Sequence, residues 1–413
     1  MSITMRAARL HQMGTPFRID DMAMPEPGPQ DVQLEVKACG VVPNLRNVIT
    51  TYTEKHPSLP ARQLPAAYGL DASGVITKLG QAVQGLSVGD RVYVNPVLSC
   101  GGCEACRRGM RSQCPQFTFQ GYFGFGPGTQ ALFDAYPTAG FCEYMVTPAA
   151  NIVRLPSVVS FEQGARFGYL GTAYAALRKS GLVPGGTVLI DGITGTLGVG
   201  AALLALAMGA ARVFGTGRNE TLLDEVNAIA PSRVQSIRLG ERAVNEVVME
   251  ATSGLGVDAY LGALGPGAPV ESTLQGLLSL RRGGSAVGMG ALAATLPIDP
   301  LVMMRRQLSY RGSLWFSTSE GQDMAAMAVY DALEAVRGCF AAMARGEARN
   351  FPVVREALGE GRQYGFKSGL DRAGGQLGVK AGGYFPGNAA KGIINHQSTV
   401  FLFDPDTGRP TAM

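Results

Sequence analysis

The sequence predicts an α/β protein in which an all-β region comes first, a doubly wound parallel sheet follows, and an α+β appendage ends the chain. Three observations predict this order. Residues 1 to about 155 contain short runs of branched residues between Gly and Pro breakers. A strand, a glycine turn, a helix and a second strand follow from Thr187. The last roughly eighty residues return to short strands, so we place the domains at residues 1–160, 161–320 and 321–413.

Composition narrows the class of protein. The chain has 413 residues, of which 46% are hydrophobic, enough for two or three domains with buried cores. Its net charge is +4 with 16% charged residues, and no Lys/Arg stripe predicts nucleic acid or an anionic membrane as a partner. No apolar run reaches the roughly 20 residues that span a bilayer. The start, MSITMRAARL, lacks an apolar signal core, which predicts a cytoplasmic protein.

The first region is predicted to be a compact all-β domain. Its strands are recognised by alternating or clustered branched residues between breakers. They are MRAARL, DVQLEVKACG, GVITKLG, DRVYVNP and EYMVTP.

Four cysteines within this region predict a metal site. Cys100, Cys103, Cys106 and Cys114 follow the spacing C-x2-C-x2-C-x7-C, which lets four thiolates surround one zinc ion tetrahedrally. The total of seven cysteines is odd, which favours a metal over a disulfide framework. Because four protein ligands saturate zinc, we expect one structural Zn and look for the chemistry elsewhere.

The second region reads as alternating strands and helices. VLIDG is a short buried strand, VGAALLALAMGA a helix that is apolar almost all round, and RVFGTG the next strand. Such a unit requires parallel strands. Further strands are predicted at DAYLGAL, GSAVGMGAL and LSYRGSLWF, with VESTLQGLLSL as a helix between them.

The glycine turn DGITGTLG, between the first strand and its helix, predicts a dinucleotide site. Glycines there let backbone N–H groups and the helix N-terminus approach a pyrophosphate. The residues expected to bind it are Gly192, Gly195, Thr196, Leu197 and Gly198.

The end of the second strand distinguishes the two nicotinamide cofactors, because NAD enzymes place an acid there for the ribose 2′-hydroxyl. This chain instead has Thr216, Gly217, Arg218 and Asn219. A guanidinium with hydrogen-bonding neighbours suits a 2′-phosphate. NADP(H) is therefore favoured over NAD(H), the alternative being an Arg that faces solvent.

The chain resembles the medium-chain dehydrogenase/reductase family over roughly residues 5 to 328. The resemblance rests on the four-cysteine loop, on VGDRVYVNP, GTAYAAL and PGGTVLIDGITGTLG, and on the GPGAP segment. It implies a GroES-like catalytic domain, a Rossmann domain, hydride transfer to a small-molecule substrate in the cleft between them, and assembly as a homodimer or homotetramer.

The chain departs from this family at the catalytic metal. Where zinc alcohol dehydrogenases have Cys, His and Cys ligands, the resemblance aligns Val42, Leu70 and Gly168, none of which can bind zinc. The residues that could still donate to a metal do not restore the set: His11, His56, His396 and Cys39.

Loss of a Lewis acid changes the reaction that we expect. Carbonyl reduction without a metal needs a side-chain proton donor or an oxyanion pocket. Reduction of an activated C=C or C=N bond needs less stabilisation, so we predict an NADP(H)-dependent reductase acting on such a bond, with C=O less favoured. Two alternatives stay open: a zinc-type alcohol dehydrogenase acting on an alcohol or aldehyde, and a non-catalytic NADPH-binding scaffold.

The candidate catalytic groups lie at or near the positions where the chain lacks the family's zinc ligands. Asp71, Asn44, Tyr52 and Tyr68 are the candidate proton donors or relays. Thr172 lies in the segment that the family places under the nicotinamide. Asp71 could instead only cap a turn or pair with an Arg, and each tyrosine could be packing.

An aromatic-rich segment follows the zinc loop. It either shapes a pocket for a flat, aromatic or apolar substrate or supports the zinc loop. Its aromatic residues are Tyr122, Phe123, Phe125, Phe133, Tyr136 and Phe141.

The tail resembles the N-terminal, dimer-forming part of the ornithine cyclodeaminase/mu-crystallin family through GVKAGGYFPGN, NHQSTVFLFD and DTGRPTAM. That resemblance implies a substrate-binding role for Lys380 and Arg355. The pattern predicts a helix from about Met324 to Arg345 and a strand-rich hairpin region with a turn at 404–408. It is either an oligomerising appendage or an arm over the cleft.

Overall fold

A computed structural model describes residues 3–56, 59–60, 62–327, 348–350, 354–359, 362–371, 376–391, 396–407 and 409–412. The chain forms two compact units, Met1–Ala328 and Val329–Met413. Among the described residues, no helix combines the length and the apolar character that crossing a bilayer requires. The predicted boundary near residue 160 stays a prediction, because residues on both sides of it belong to the first unit.

The N-terminal part of the first unit is antiparallel β structure. One sheet has the strand order β2-β1-β4, a second has the order β10-β6-β5-β3-β9, and β7 pairs with β8. Each predicted strand of this region is confirmed within a few residues. The strands are β1 Thr4–Leu10, β2 Arg18–Ala23, β3 Asp31–Gly40, β4 Ala66–Ala67, β5 Asp71–Leu79, β6 Arg91–Val94, β7 Val97–Leu98, β8 Thr118–Phe119, β9 Tyr144–Pro148 and β10 Ile152–Arg154.

Short helices occupy the connections between these strands, and the core lies on one face of the larger sheet. Val32, Leu34 and Ile76 lie on paired strands and are fully buried. The helices are α1 Leu45–Thr50, α2 Tyr52–Lys55, α3 Glu104–Arg107 and α4 Thr129–Ala135, with single 3-10 turns at Arg111–Gln113 and Ala149–Asn151.

The second part is the predicted parallel sheet, with six strands in the order β13-β12-β11-β14-β15-β16. Strands β12 and β13 extend the sheet on one side of β11, and β14, β15 and β16 extend it on the other. This change of direction opens a crevice at the carboxyl ends of β11 and β14. Val188, Leu189 and Ile190 of β11 are fully buried because helices cover both faces. The strands are β11 Thr187–Asp191, β12 Arg212–Gly217, β13 Val234–Arg238, β14 Val257–Gly262, β15 Leu280–Gly288 and β16 Ser309–Gly312.

The helices of this part flank the sheet and connect it to the β region. A capping box at Ser160 begins α5, and Gly181, with φ +73°, ends α6. The helices are α5 Phe161–Gly164, α6 Phe167–Ser180, α7 Thr196–Ala207, α8 Glu220–Ile229, α9 Val244–Ala251, α10 Val270–Leu278 and α11 Pro300–Arg306.

The last predicted strand is shorter than LSYRGSLWF suggested, because β16 ends at Gly312. From there the chain leaves the sheet and packs on the β region: the Asn95 amide donates to the carbonyl of Phe316, with a nitrogen–oxygen distance of 3.2 Å. Residues 318–327 are helical. The Arg154 N–H donates to Gln322 Oε1 at 2.9 Å. The first unit is therefore completed by a return segment that the pattern did not reveal.

The second unit contains a six-stranded antiparallel sheet in the order β17-β19-β20-β21-β22, with β18 beside β19. Asp404 Oδ1 accepts the N–H groups of Asp406 and Thr407 and fixes the predicted turn. The predicted helix from Met324 to Arg345 is described only to residue 327, and the rest lies outside the described residues. The strands are β17 Ala348–Asn350, β18 Val354–Gly359, β19 Arg362–Asp371, β20 Gln376–Tyr384, β21 His396–Phe403 and β22 Pro410–Ala412, with a 3-10 helix at Pro386–Lys391.

Candidate active site and zinc centre

The four predicted zinc ligands come together in the loop after β7. The sulfur atoms of Cys100, Cys103, Cys106 and Cys114 all lie within 4.8 Å of one another. Cys114 Sγ lies 3.6 Å from that of Cys100 and 3.8 Å from that of Cys103. Four sulfurs bonded tetrahedrally to zinc are about 3.8 Å apart. The backbone N–H of Gln116 also points at Cys114 Sγ, at 3.3 Å, which stabilises a thiolate. The set fits one structural zinc.

Arg111 ties the zinc loop to the β region. Its guanidinium donates to Ser99 Oγ at 3.0 Å, to the carbonyl of Val97 at 2.9 Å, and to Asn151 Oδ1 at 2.8 Å. Asn151 is fully buried and Val97 nearly so. The planar guanidinium thus joins three separate segments.

The glycine turn has the geometry that a pyrophosphate requires. Gly192 has φ +80°, a conformation that other residues rarely adopt. A Cβ at Gly198 would lie 2.2 Å from the carbonyl oxygen of Gly192, so only glycine lets the helix approach the turn. A Cβ at Gly195 would lie 3.4 Å from the carbonyl oxygen of Gly192, and the first N–H groups of α7, at Thr196 and Leu197, lack helical partners. The turn and the helix start form an anion site.

Two residues predicted to contact the cofactor are engaged within the protein. The Thr216 hydroxyl donates to the Asp191 carboxylate and accepts the N–H of Gly192 at 3.0 Å. The Asn219 side chain accepts the N–H of Leu222 at 3.2 Å and caps α8. Thr216 therefore stabilises the glycine turn through its hydrogen bond with Gly192, and Asn219 caps the N-terminus of α8, the helix that follows Arg218.

Arg218 lines a cavity of about 580 Å³ at the end of β12. Gly240 and Arg242 line the same cavity, so two guanidinium groups border it. A Cβ at Gly217 would lie 2.7 Å from the Leu223 side chain, which explains the glycine before Arg218. Glu241 and Glu271 line the cavity as well, so two guanidinium groups and two carboxylates border this recess.

Asp71, at the start of β5, is a buried carboxyl group with one hydrogen-bond donor. Its exposed fraction is 1%, and Tyr93 Oη donates to its Oδ1 at 2.9 Å. Burial raises the pKa of Asp71 to about 7, against the lowering effects of the Tyr93 hydrogen bond and the Arg166 charge. The group therefore gains or loses its proton near neutral pH.

Tyrosine hydroxyls gather around this carboxyl. Tyr122 Oη donates to Asn44 Oδ1 at 2.5 Å. Burial raises the pKa of Tyr122, and the neighbouring Tyr169, Asp71 and Tyr68 raise it further. Burial likewise raises the pKa of Tyr169, to about 12. The structure thus brings the predicted Asn44, Tyr68 and Asp71 to one place.

Tyr52, the first residue of α2, has an unusual hydroxyl. The residue is 9% exposed, and its oxygen is buried without a hydrogen-bond partner. The ring packs against Phe123, with centroids 4.9 Å apart, and against His56 at 5.2 Å. Burial raises the pKa of Tyr52, so the phenol keeps its proton. A buried hydroxyl without a partner is costly, and it marks a position where a bound molecule could satisfy it.

The other two predicted residues have partners. The guanidinium of Arg62 lies 5.2 Å above the Tyr68 ring, and burial raises the pKa of Tyr68 while Arg62 lowers it. The Thr172 hydroxyl donates to the carbonyl of Gly168 at 2.8 Å, within α6. Neither contact tests a role in catalysis.

The six residues of the aromatic-rich segment make two kinds of contact, and neither of their predicted roles is tested by them. Phe133 stacks under Arg62, Tyr136 bonds to Asp31, and Phe141 packs on Phe17. The remaining three join rings from other segments in what we call the aromatic cluster. It consists of Tyr52, Phe117, Phe119, Tyr122, Phe123, Phe125 and Trp315.

Two family models match the chain. The model of the alcohol dehydrogenase GroES-like domain matches residues 28–157, and the model of the zinc-binding dehydrogenase matches residues 196–329. Together they cover more than half of the sequence. The chain belongs to the medium-chain dehydrogenase/reductase family.

Individual proteins match over different lengths. A protein of Neosartorya fischeri named probable D-xylulose reductase A is 29% identical over 322 residues, which are 75% of this chain and 81% of its own. The iminosuccinate reductase of Paracoccus denitrificans is 62% identical over 82 residues, 20% of this chain and only 26% of that enzyme. A Sinorhizobium meliloti dehydrogenase, described as zinc-binding and solved with NADP, shares the fold at 24% identity and TM-score 0.67, over 80% of this chain and 90% of its own.

Family membership confirms several predictions. The GroES-like and Rossmann fold, the activity of an oxidoreductase and the dependence on a nicotinamide cofactor are confirmed, and the cysteine cluster can hold the predicted zinc. The roles of individual residues, the C-terminal resemblance, the oligomeric state and the cellular location stay predictions.

The residues that the resemblance aligns with the family's catalytic metal ligands, Val42, Leu70 and Gly168, offer no donor to zinc. Val42 and Leu70 are buried among apolar neighbours. A Cβ at Gly168 would lie 2.1 Å from Asp71 Oδ1, so the carboxylate fills the space that a ligand side chain there would need. Hydrocarbon side chains and a glycine supply no donor for zinc.

Three residues that pack around the candidate site were not singled out from the sequence. Tyr169 directly follows Gly168, which stands where the family has a zinc ligand. This position in the sequence is the signal that could have identified it. Tyr93 and Trp315 reach the site from distant segments, and nothing in their local sequence indicated it. Trp315 Nε1 donates to Asn95 Oδ1 at 2.9 Å and its ring meets Phe119.

Proposed function

We propose that this protein is an NADP(H)-dependent reductase that works without catalytic zinc and reduces an activated C=C or C=N bond of a small, flat substrate. The observation that carries the proposal is the contact between Asp71 and Gly168, which fills the place of a metal ligand. Because no Lewis acid is available from Val42, Leu70 and Gly168, the substrate must already be electrophilic. An iminium carbon or the β-carbon of a conjugated alkene meets that requirement.

The preference for NADP(H) rests on charge. Arg218 and Arg242 line one cavity beyond β12, where an NAD enzyme would place an acid. Arg242 donates to Glu250 at 2.8 Å, and Glu241 and Glu271 also line the cavity, so the preference rests on the guanidinium of Arg218, which suits a 2′-phosphate. The Sinorhizobium meliloti dehydrogenase, which shares this fold, is solved with NADP and is consistent with that preference.

The nicotinamide, when bound, supplies a hydride to the electrophilic carbon. A neutral imine or a conjugated alkene also needs one proton, on the nitrogen or on the α-carbon, whereas an iminium is already protonated and needs the hydride alone. Tyr52 suits the role of proton donor because its hydroxyl is buried, protonated and without a partner. Asn44 fixes Tyr122 beside it, and Asp71 can exchange a proton near neutral pH.

The substrate class follows from the aromatic cluster. The rings pack on one another, as in the edge-to-face pair of Phe119 and Trp315, 4.8 Å apart, and the tilted pair of Tyr52 and Phe123, so a substrate beside Tyr52 and Trp315 would meet aromatic rings. Ring faces also attract a cation, which favours an iminium over a neutral carbonyl. The name of the iminosuccinate reductase agrees with C=N reduction. The match covers only 20% of this chain and 26% of that enzyme, so it supports the reaction class less than the family match does.

The test combines metal analysis with a substrate panel. We expect one zinc per chain, and steady NADPH oxidation with at least one imine, enal or quinone that exceeds NADH oxidation. Asp71→Asn is the matched control for the metal analysis, because it keeps the shape of the site and adds no metal ligand. Two zinc ions per chain would overturn the zinc-free site, and NADPH binding without turnover on any compound would favour a scaffold.

A second candidate is reduction of a ketose. It is favoured by the Neosartorya fischeri relative named probable D-xylulose reductase A, which is aligned over 75% of this chain. D-xylulose and an aldehyde therefore belong in the panel. Turnover confined to D-xylulose would establish this candidate in place of the C=C or C=N reductase.

A further inference from the structure

A chain of hydrogen bonds connects the zinc loop to the aromatic cluster. Arg111, inside the four-cysteine loop, donates to Asn151 Oδ1 at 2.8 Å. The carbonyl of Asn151 accepts the N–H of Asn95 at 2.9 Å. Asn95 Oδ1 in turn accepts Trp315 Nε1–H at 2.9 Å. Three successive contacts thus lead from the loop to the indole.

The interior members of this path are rigidly held. Asn151 is 0% exposed and Asn95 1%, and polar groups at such depth are costly to leave unpaired. A second connection runs alongside: Arg111 and the Asn151 amide both donate to the carbonyl of Val97, at 2.9 and 3.0 Å. Val97 pairs with Phe119, whose ring meets Trp315. Displacement of Arg111 would therefore disturb two supports of the indole.

Trp315 needs such support because its backbone is strained. Its φ is +58°, a left-handed value that is rare for a bulky residue. The side-chain amide of Asn95 binds the indole through its oxygen and the carbonyl of Phe316 through its nitrogen. One amide therefore fixes two successive residues of the return segment in this conformation.

We propose that the zinc loop positions Trp315 at the substrate site through Arg111, Asn151 and Asn95. A metal ion bound by the four cysteines would hold the loop in one conformation and so fix the position of the Arg111 guanidinium. Arg111 binds Asn151, Asn151 binds Asn95, and Asn95 binds the indole of Trp315. The zinc is then a positioning element for the substrate wall as well as a stabiliser of the fold. The claim that Trp315 borders the substrate rests on the proposed function, whereas the path itself does not.

The experiment uses the fluorescence of Trp315, the single tryptophan of the chain. Arg111→Lys keeps the charge and all four cysteines, but one ammonium cannot reproduce the planar, multiple contacts of the guanidinium. We expect one zinc per chain, a red-shifted emission and faster quenching by acrylamide. For a substrate found in the panel, KM should rise roughly fivefold, as for the loss of about 1 kcal/mol of hydrogen bonding. The control is Arg108→Lys on the same loop, whose partner Glu104 is exposed.

Wild-type emission and quenching in a zinc-loaded Arg111→Lys protein would overturn the proposal. Should that variant not fold, Asn95→Ala with its zinc retained replaces it: chelation should shift the emission of the wild type more than that of Asn95→Ala, in which only the connection through Val97 and Phe119 is left. Equal responses of the two proteins to chelation would also overturn the proposal. A spectral change without any turnover would keep the path and refute only the proposed function.

Discussion

The Asp71 carboxylate lies where a side chain at position 168 would have to go: a Cβ built on Gly168 would be 2.1 Å from Asp71 Oδ1. Residue 168 is the second of α6, and Asp71 begins β5. The helix can start against the sheet at this point only because residue 168 lacks a side chain.

This contact predicts the effect of Gly168→Ala. Alanine favours a helix, but the overlap with the carboxylate should dominate and lower the free energy of unfolding by about 1–3 kcal/mol. Urea denaturation measures it. The cost should nearly vanish in an Asp71→Ala background, because the overlapping atoms are gone. Gly200→Ala is the control, since its Cβ would meet only the flexible Leu170 tip at 3.1 Å. Equal costs in both backgrounds would contradict the contact.

Asp71 should make stability depend on pH. Burial raises its folded-state pKa from 3.8 to about 7, so the folded protein retains this proton between those values while the unfolded chain releases it. The stabilising contribution is therefore complete below about pH 4 and is lost as pH rises through about 7, at up to about 1.4 kcal/mol per pH unit. Asp71→Asn keeps an acceptor for Tyr93 and cannot ionise. We expect its unfolding free energy, relative to wild type, to be higher at pH 8 than at pH 5, and a difference that does not vary with pH would contradict this.

Tyr52→Phe should separate activity from stability. The phenol has no partner, so its removal should leave the free energy of unfolding unchanged or raise it by about 1 kcal/mol. If the phenol is the proton donor, kcat should fall roughly 100-fold or more with NADPH affinity preserved. Tyr136→Phe, which loses a hydrogen bond to Asp31, is the matched control and should keep wild-type kcat. Undiminished kcat in Tyr52→Phe would exclude this residue as the donor.

Arg218→Ala should weaken NADPH selectively. Losing a charge-assisted hydrogen bond costs about 1.5–3 kcal/mol, so the dissociation constant for NADPH should rise roughly 10-fold to 100-fold. The value for NADH should change little, because NADH has no 2′-phosphate. Titration of both cofactors measures the effect, with the exposed Arg282→Ala as control. A parallel loss for both cofactors would place Arg218 elsewhere than at the 2′-phosphate.

Features with a local pattern could be predicted, and the structure agrees with them. The spacing of Cys100 to Cys114 brings four sulfurs together, and the glycines of DGITGTLG produce the turn before α7. The strand β16 was predicted too long, because Leu314, Trp315 and Phe316 continue the segment with apolar residues and only their docking on the β region decides where the strand ends. Periodicity describes burial but does not show which neighbour covers a residue.

The sequence by itself determined the domain types, the zinc ligands and the cofactor turn, because each depends on residues a few positions apart whose spacing dictates geometry. The tertiary structure alone decided three other features: the Asp71 carboxylate beside Gly168, the unpartnered hydroxyl of Tyr52, and Asn95 bonded to Trp315 across 220 positions. These depend on which distant segments meet, and the packing of the whole unit, rather than any local pattern, fixes those meetings.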